Sequence, residues 1–128
     1  MACWGAAPNF TAVAADGAAR FDARLPNGGQ TYRALRFPWT GRPTDSPRVA
    51  LRTTDTGARL YVSWNGATKV ASWQLETGAS ATTLAAAATY PRQGFETVLP
   101  IPAGVKYAAA VALDASNGKE LWRLAPVK

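Results

Sequence analysis

The residues that could do binding chemistry lie close together in one proline-rich segment, TYRALRFPWTGRPTDSP. Aromatic residues alternate there with arginines. Aromatic rings stack on other rings, and guanidinium groups pair with phosphate, sulfate or carboxylate. The segment therefore predicts either a site for an anionic ligand or an interdomain arm in which arginine stems pack on the rings. The candidate residues are Tyr32, Arg33, Arg36, Trp39 and Arg42, with Phe37 among them.

The sequence offers few residues for catalysis, because it has no histidine. That removes the commonest general base, the usual zinc ligand and every Ser-His-Asp or Cys-His arrangement. Cys3 is the single cysteine, so an internal disulfide is excluded. Glu96 or Asp114 could be paired with Glu120 for glycoside cleavage, but nothing in the sequence sets two carboxyls at a defined separation. We expect no catalytic residue, no cofactor and no metal, and hence a protein that is not an enzyme.

The formal charge of +6 is unevenly placed. Eight arginines lie between Arg20 and Arg59 against three aspartates, a local net charge of +5, and the rest of the chain carries +1. Guanidinium groups suit packed interfaces as well as anionic ligands. A polyanion is therefore one candidate partner, bound through the arginine-rich arm.

Length and composition fit one domain with a core, since the chain has 128 residues of which 48% are hydrophobic. No run of about 18 apolar residues predicts a membrane span. The N-terminus MACWGAAPNF lacks a basic region followed by an apolar one, so no signal peptide is recognised. The protein is then either cytosolic or begins after a cleaved signal.

Residues 1–47 are predicted to form a β-hairpin followed by an arm rich in proline and arginine. Apolar residues alternate on both sides of Asp16-Gly17, which is a hairpin signal. A short strand is expected at 31–37. Three prolines then predict an extended chain: Pro38, Pro43 and Pro47.

Residues 48–128 read as seven short strands with turns about every ten residues, which predicts an antiparallel sandwich. The strands are RVALRTT, RLYVSW, KVASWQL, TLAAAATY, FETVLPI, KYAAAVALDA and KELWRLA. Alanine favours a helix for ATTLAAAATY, but that run is short and uncapped. Phe95, Thr97 and Leu99 are expected to share one face of their strand, and Tyr107, Ala109, Val111 and Leu113 alternate along another strand. The predicted fold is all-β: an immunoglobulin-like or fibronectin-III-like sandwich with the N-terminal hairpin and arm.

Three aromatic residues are predicted to lie in the core of this sandwich. Trp64 and Trp73 flank the turn at Asn65-Gly66, so their rings are expected to meet inside, each burying about 150–250 Å². Tyr107 stands near the start of a late strand, like the tyrosine at the corner of such sandwiches.

The segments FDARLPNGGQTYRALRFPWTGRPTDSP, YVSWNGATKVASWQLETG, GFETVLPIP and YAAAVALDASNGKEL occur in this order over nearly the whole chain. Together they resemble the C-terminal region of arylsulfotransferase-family secreted proteins, in which a β-propeller precedes a fibronectin-III-like sandwich. The stretch CWGAAPNFTAVAADGAARFDARLP is similar to the last strands of the final propeller blade. The resemblance implies that the family's nucleophile, a propeller histidine, has no counterpart at any position here.

These observations favour a non-catalytic, extracellular or secreted interaction and assembly module. Its expected partner is another protein or a second copy, bound through the N-terminal hairpin, since a hairpin without neighbouring strands leaves unpaired edges. Two alternatives stay open. One is a piece of an arylsulfotransferase-like enzyme that acts only with its propeller, and the other is a polyanion-binding protein.

Overall fold

The computed structural model describes all 128 residues as an all-β protein of ten strands joined by turns and irregular segments. All strand pairs are antiparallel. The strands are β1 (Ala2–Cys3), β2 (Asn9–Val13), β3 (Ala19–Arg24), β4 (Arg48–Thr54), β5 (Gly57–Ser63), β6 (Val70–Ser80), β7 (Thr83–Pro91), β8 (Thr97–Pro100), β9 (Tyr107–Asp114) and β10 (Glu120–Arg123). The structure contains no helix with the length and apolar character needed to cross a bilayer.

The chain divides into two units, Met1–Pro38 and Trp39–Lys128. The sequence groups residues 39–47 with the N-terminal part, whereas the structure joins them to the second unit. The reason is a set of hydrogen bonds. The Gly41 amide donates to the Thr68 hydroxyl at 2.9 Å, and the Trp64 indole donates to the Asp45 carbonyl at 2.7 Å.

The first unit is a three-stranded sheet in the order β1-β2-β3. The β2–β3 hairpin turns at Asp16-Gly17, where Gly17 has a φ of 83° that a glycine adopts readily. The hairpin predicted from the sequence is therefore present. The strand predicted at 31–37 is wrong: only Thr31 makes an isolated bridge, to Gly5, and the segment after it forms no ladder.

The second unit is formed by two sheets, one in the order β4-β5-β8 and the other in the order β10-β9-β6-β7. Seven strands were predicted in this region and seven are present. The alanine-rich run is strand β7, paired along β6, and not a helix. Hydrogen bonding to a long neighbouring strand outweighs the intrinsic preference of alanine, which is weak for a run of this length.

Both sheets contribute to one hydrophobic core, as in a sandwich. From the three-stranded sheet come Leu60, Val62 and Leu99, all fully buried. From the four-stranded sheet come Trp73 and Leu75 with small residues of the adjacent strand. Trp73 lies opposite Ala112, and Leu75 lies opposite Ala110, so alanines leave room for the large side chains of β6.

The structure places the residues of two predicted rows differently from a simple alternation. In β9 the residues in the core are Ala108, Ala110 and Ala112, which are of opposite parity to the predicted row. The alternation of residues could not show which row faces the core, because β9 has apolar residues at odd and at even positions. Ala109 and Val111, on the outer face of the sheet, are buried as well. In the other row Thr97 and Leu99 are buried, but Phe95 precedes β8 and is exposed.

The three aromatic residues predicted to lie in the core are buried to different extents. Trp73 is 1% exposed and lies at the centre of the core. Trp64 packs against the edge of the core and is half-buried, and its ring partner is Trp122, not Trp73. Tyr107 shares the outer face with Ala109 and Val111, where it is half-buried with the Lys128 ammonium 6.0 Å from its ring centroid. Of the three, only Trp73 is a fully buried core residue.

Candidate functional site

The second unit contains a cleft of about 350 Å³, which we call the aromatic cleft. Its two rings belong to Trp64 and Trp122, whose centroids lie 5.6 Å apart with the ring planes at 62°. That edge-to-face geometry is favourable for aromatic pairs. The lining is completed by Gly41, Arg42, Pro43, Ala67, Lys69, Asp114 and Leu121.

The two tryptophans meet because each continues the inward-facing row of its own sheet. Trp64 follows Leu60 and Val62 at alternate positions of β5. Trp122 lies opposite Ala112 in the register of β9 and β10, in line with Trp73 across the sheet. Both rings lie at the edge of the core, at one end of the sandwich, and are therefore partly open to solvent. Trp122 is 38% exposed.

The Trp64 ring is held by the segment that precedes β4. Its indole N–H donates to the Asp45 carbonyl at 2.7 Å. The same segment approaches the turn after Trp64 so closely that a Cβ on Gly41 would stand 1.9 Å from the Gly66 carbonyl oxygen. Only glycine fits at this position. The wall of the cleft is therefore fixed by backbone contacts rather than by flexible side chains.

Three charged residues also line the cleft. Arg42 and Lys69 supply two cations, and neither has a carboxylate within ion-pair distance. Asp114 supplies one anion, whose Oδ1 accepts hydrogen bonds from the Ser116 hydroxyl and, at 2.6 Å, from the Ser116 amide. These bonds, the hydroxyl first, hold the pKa of Asp114 below its ordinary value, and the charge of Lys69 acts in the same direction. Asp114 is ionised at neutral pH, and the lining carries a net charge of +1.

The candidate anion-site residues do not form one cluster. Tyr32, Arg33 and Arg36 belong to the first unit, and Trp39 and Arg42 belong to the second. Within the first set the guanidinium of Arg33 lies 5.8 Å from the centroid of the Tyr32 ring, and that ring is 91% exposed. Of the second set, only Arg42 lines the aromatic cleft.

The carboxylates considered for acid–base chemistry are engaged separately. Asp114 bonds Ser116, and Glu120 accepts from Arg123 at 2.8 Å. No three side chains among the cysteine, aspartates and glutamates come together in a group that could hold a metal ion. Cys3 accepts a hydrogen bond from the Ala34 amide through Sγ.

Sequence reasoning missed the part that Trp122 and Lys69 have in this cleft. A usable signal was present. Trp64 directly precedes the Asn65-Gly66 turn, which leads from β5 to β6 in the other sheet, and Trp122 follows the Asn117-Gly118 turn of the β9–β10 hairpin by four residues. Both tryptophans therefore stand beside turns. What the sequence could not supply is that these two turns lie at the same end of the sandwich.

The first unit carries a second surface that could bind, an open strand edge beside an apolar groove. Strand β3 is paired with β2 on one side and with no strand on the other. The groove is about 500 Å³ and is lined by Met1, Phe10, Phe21, Ala34, Leu35 and Arg36. Phe10 and Phe21 pack with centroids 6.0 Å apart, and Phe21 is half exposed.

Comparison of the chain with protein-family models, with curated proteins and with solved structures found no match.

Proposed function

We propose that this chain is a non-catalytic interaction module that assembles with a second copy of itself through strand β3. The first unit buries few of its apolar side chains. Ala12 is the only apolar side chain buried among residues 1–38. The large apolar residues left exposed there are Met1, Trp4, Val13, Phe21, Tyr32, Leu35 and Phe37.

A unit of this size needs further burial to be stable. Chains below about 40 residues rarely bury enough surface without disulfides, metals or association. Cys3 is free, so no disulfide staples this unit. Association that covers its apolar face supplies the missing burial.

The backbone of β3 indicates how a second strand would pair. The Leu25 amide donates to the Pro8 carbonyl at 2.7 Å, so the backbone groups of Leu25 point towards β2. In the same register Ala23 and Phe21, two and four residues earlier, also direct their backbone groups towards β2. Backbone groups alternate in direction along a strand. Asp22 and Arg24 therefore present their N–H and C=O groups to the open edge.

The observation that carries the proposal is the self-complementary sequence Phe21-Asp22-Ala23-Arg24-Leu25. In a two-fold antiparallel pair centred on Ala23, Asp22 of one copy faces Arg24 of the other, and the same pair recurs on the other side of the centre. Phe21 likewise faces Leu25. Opposite-charge and apolar cross-strand pairs each contribute roughly 0.2–1 kcal/mol. A two-fold arrangement makes every such contact twice.

Neighbouring registers are less favourable. Centring on Asp22 would set the two Asp22 carboxylates opposite each other and Arg20 opposite Arg24, both like-charge pairs. Centring on Phe21 would need Arg20 in the ladder, but the register shift between Ala12 and Val13 interrupts regular pairing there. The register centred on Ala23 is the one that charge and backbone geometry both favour.

The finer fold assignment is part of the same proposal. In the second unit the fourth strand, β7, pairs with the third, β6, and not with the sheet of β4 and β5. Constant-type immunoglobulin domains put their fourth strand on the sheet of the first two. This connectivity supports the fibronectin-III-like reading, and the resemblance to secreted arylsulfotransferase-family proteins supports an extracellular location.

A charge-exchange experiment tests the assembly. Asp22→Arg and Arg24→Asp each turn both cross-strand pairs into like-charge pairs, so each variant alone is expected to be monomeric. Mixed in equal amounts, they restore two opposite-charge pairs and are expected to form a heterodimer. Molar mass by light scattering across a concentration series is the measurement.

Arg20→Asp and Asp55→Arg change the net charge by the same amounts outside the pairing segment and serve as controls. They are expected to dimerise as the unmodified chain does. A monomeric unmodified chain at high micromolar concentration, or single variants that remain dimers, would overturn the proposal.

A further inference from the structure

The structure assigns a second binding activity, independent of the assembly: we infer that the aromatic cleft binds a planar aromatic monocarboxylate. The cleft stands at the low end of the range of about 300–1,000 Å³ typical of small-molecule sites, which suits one or two fused rings. Its lining is of the expected kind, predominantly aromatic and apolar with a few charged groups.

The two indoles form a corner into which a flat ring fits. With the planes at 62°, a ligand ring that stacks on one indole presents its edge to the other, and both arrangements are favourable. Trp122 has the exposed area to offer, since more than a third of the residue is open. Pro43 and Leu121 add aliphatic side chains to the lining.

The cations decide the charge of the ligand. Arg42 and Lys69 have no carboxylate within ion-pair distance, although the charge of Lys69 contributes to the lowered pKa of Asp114. Asp114 itself accepts hydrogen bonds from Ser116. One ligand carboxylate would match the net charge of the lining. The planar fork of a guanidinium pairs with both oxygens of a carboxylate.

The site is also preformed. Its lining comes from four parts of the chain, residues 41–43, 64–69, 114 and 121–122. Backbone hydrogen bonds hold the first three: the Thr68 amide donates to the Gly41 carbonyl, the Ala115 amide to the Lys69 carbonyl, and the Ala67 amide to the Trp64 carbonyl. The fourth part lies in β10, which is paired with β9. In addition, the Arg92 guanidinium donates to the Ala67 carbonyl at 2.6 Å. Little ordering is then required on binding, which favours affinity.

The test uses 1-naphthoate as the probe and 1-naphthalenemethanol as its neutral match. Two-dimensional ¹⁵N–¹H NMR resolves the indole N–H signals of the five tryptophans, and Trp64→Phe and Trp122→Phe assign two of them. Titration with naphthoate is expected to shift the signals of Trp64 and Trp122, and to leave those of Trp4 and Trp73 in place. The neutral probe is expected to bind about tenfold more weakly, since a charge-assisted pair contributes more than a neutral one.

Variants separate the contributions. Lys69→Gln and Arg42→Gln are each expected to weaken naphthoate binding by about five- to tenfold, and Asp114→Asn to strengthen it, because removal of a like charge favours the anion. Lys119→Gln and Arg59→Gln, exposed cations outside the cleft, are matched controls with no expected effect. Equal binding of both probes, a shift at Trp4 as large as that at Trp64, or unchanged affinity in Lys69→Gln and Arg42→Gln would overturn the inference.

Discussion

The guanidinium of Arg123 donates to the carboxylate of Glu76, and the pair lies on the outer face of the four-stranded sheet. Glu76 is only 7% exposed and stands on the central strand β6. Arg123 reaches it from the edge strand β10 and also bonds Glu120 at 2.8 Å. A buried carboxylate needs a cation as its partner, and Arg123 is that partner for Glu76.

Replacing Arg123 by methionine is expected to destabilise the protein by about 1–3 kcal/mol, because it leaves the Glu76 carboxylate buried without its partner. The double change Arg123→Met with Glu76→Gln should recover part of the loss, since an amide is cheaper to bury than a charge. Urea denaturation gives the free energies of unfolding. Glu120→Gln, which alters the exposed arm of the same network, is the control and should cost well under 1 kcal/mol. An Arg123→Met variant as stable as the unmodified chain would show that the pair contributes nothing.

The pH dependence of this pair follows from the direction of its shift. The hydrogen bond to Glu120, followed by the hydrogen bond and charge of Glu76, raises the pKa of Arg123 above its ordinary value. On the arginine side, a raised pKa means that the stabilisation is fully present below the unfolded-state pKa and is lost as the pH rises through the folded-state value. The pair therefore contributes equally throughout the neutral range.

Alternation predicted the strands well because each predicted run is short, apolar on at least one face and bounded by turn residues. RVALRTT coincides with β4, and Asp16-Gly17 marks the turn of the β2–β3 hairpin. The alternation failed in β9, where alanines at both parities leave the inward face to be set by Trp73 and Leu75 of the neighbouring strand. That information lies in a strand more than thirty residues earlier in the chain, and no local pattern contains it.

The candidate site was less predictable than the fold. Arg42 was singled out with the arm residues, but its cleft is made by Trp64 and Trp122, which are far apart in sequence. The pairing of these rings depends on how two sheets pack and on where β5 and β10 end. A sequence pattern gives the strands, whereas their packing decides which exposed rings meet.

The close approach of residues 39–47 to the Asn65-Gly66 turn is expected to make stability sensitive to one added methyl group at Gly41. Gly41→Ala puts a Cβ into the Gly66 carbonyl and should cost about 1–3 kcal/mol through forced backbone movement. Thr44→Ala, an exposed change in the same segment, should be nearly neutral. Thermal denaturation of the two variants measures the difference, and similar midpoints for both would contradict the described contact.

Asp114 is expected to titrate at unusually low pH. Its pKa is lowered first by the Ser116 hydroxyl, so Ser116→Ala should raise it towards the ordinary value. A lowered pKa contributes stability above the unfolded-state value and loses it as the pH falls through the folded-state value. The stability difference between the unmodified chain and Ser116→Ala should therefore be constant near neutrality and should shrink in acid. Carboxyl ¹³C NMR titration follows Asp114 directly, and identical titration curves in the two proteins would contradict the prediction.

The buried and exposed tryptophans are expected to differ sharply in what they contribute to stability. Trp73 fills the space between the sheets, so Trp73→Ala should cost about 3–5 kcal/mol through lost burial and the cavity left behind. Trp73→Phe, which keeps a ring in place, should cost less and still fold. Trp39 is 72% exposed, and Trp39→Ala should stay within about 0.5 kcal/mol of the unmodified chain. Trp64→Ala should fall between these limits, since its ring is half-buried against Trp122. Chemical denaturation of the four variants gives the order, and a Trp39→Ala loss equal to that of Trp73→Phe would mean that the described core is not the one that holds the fold.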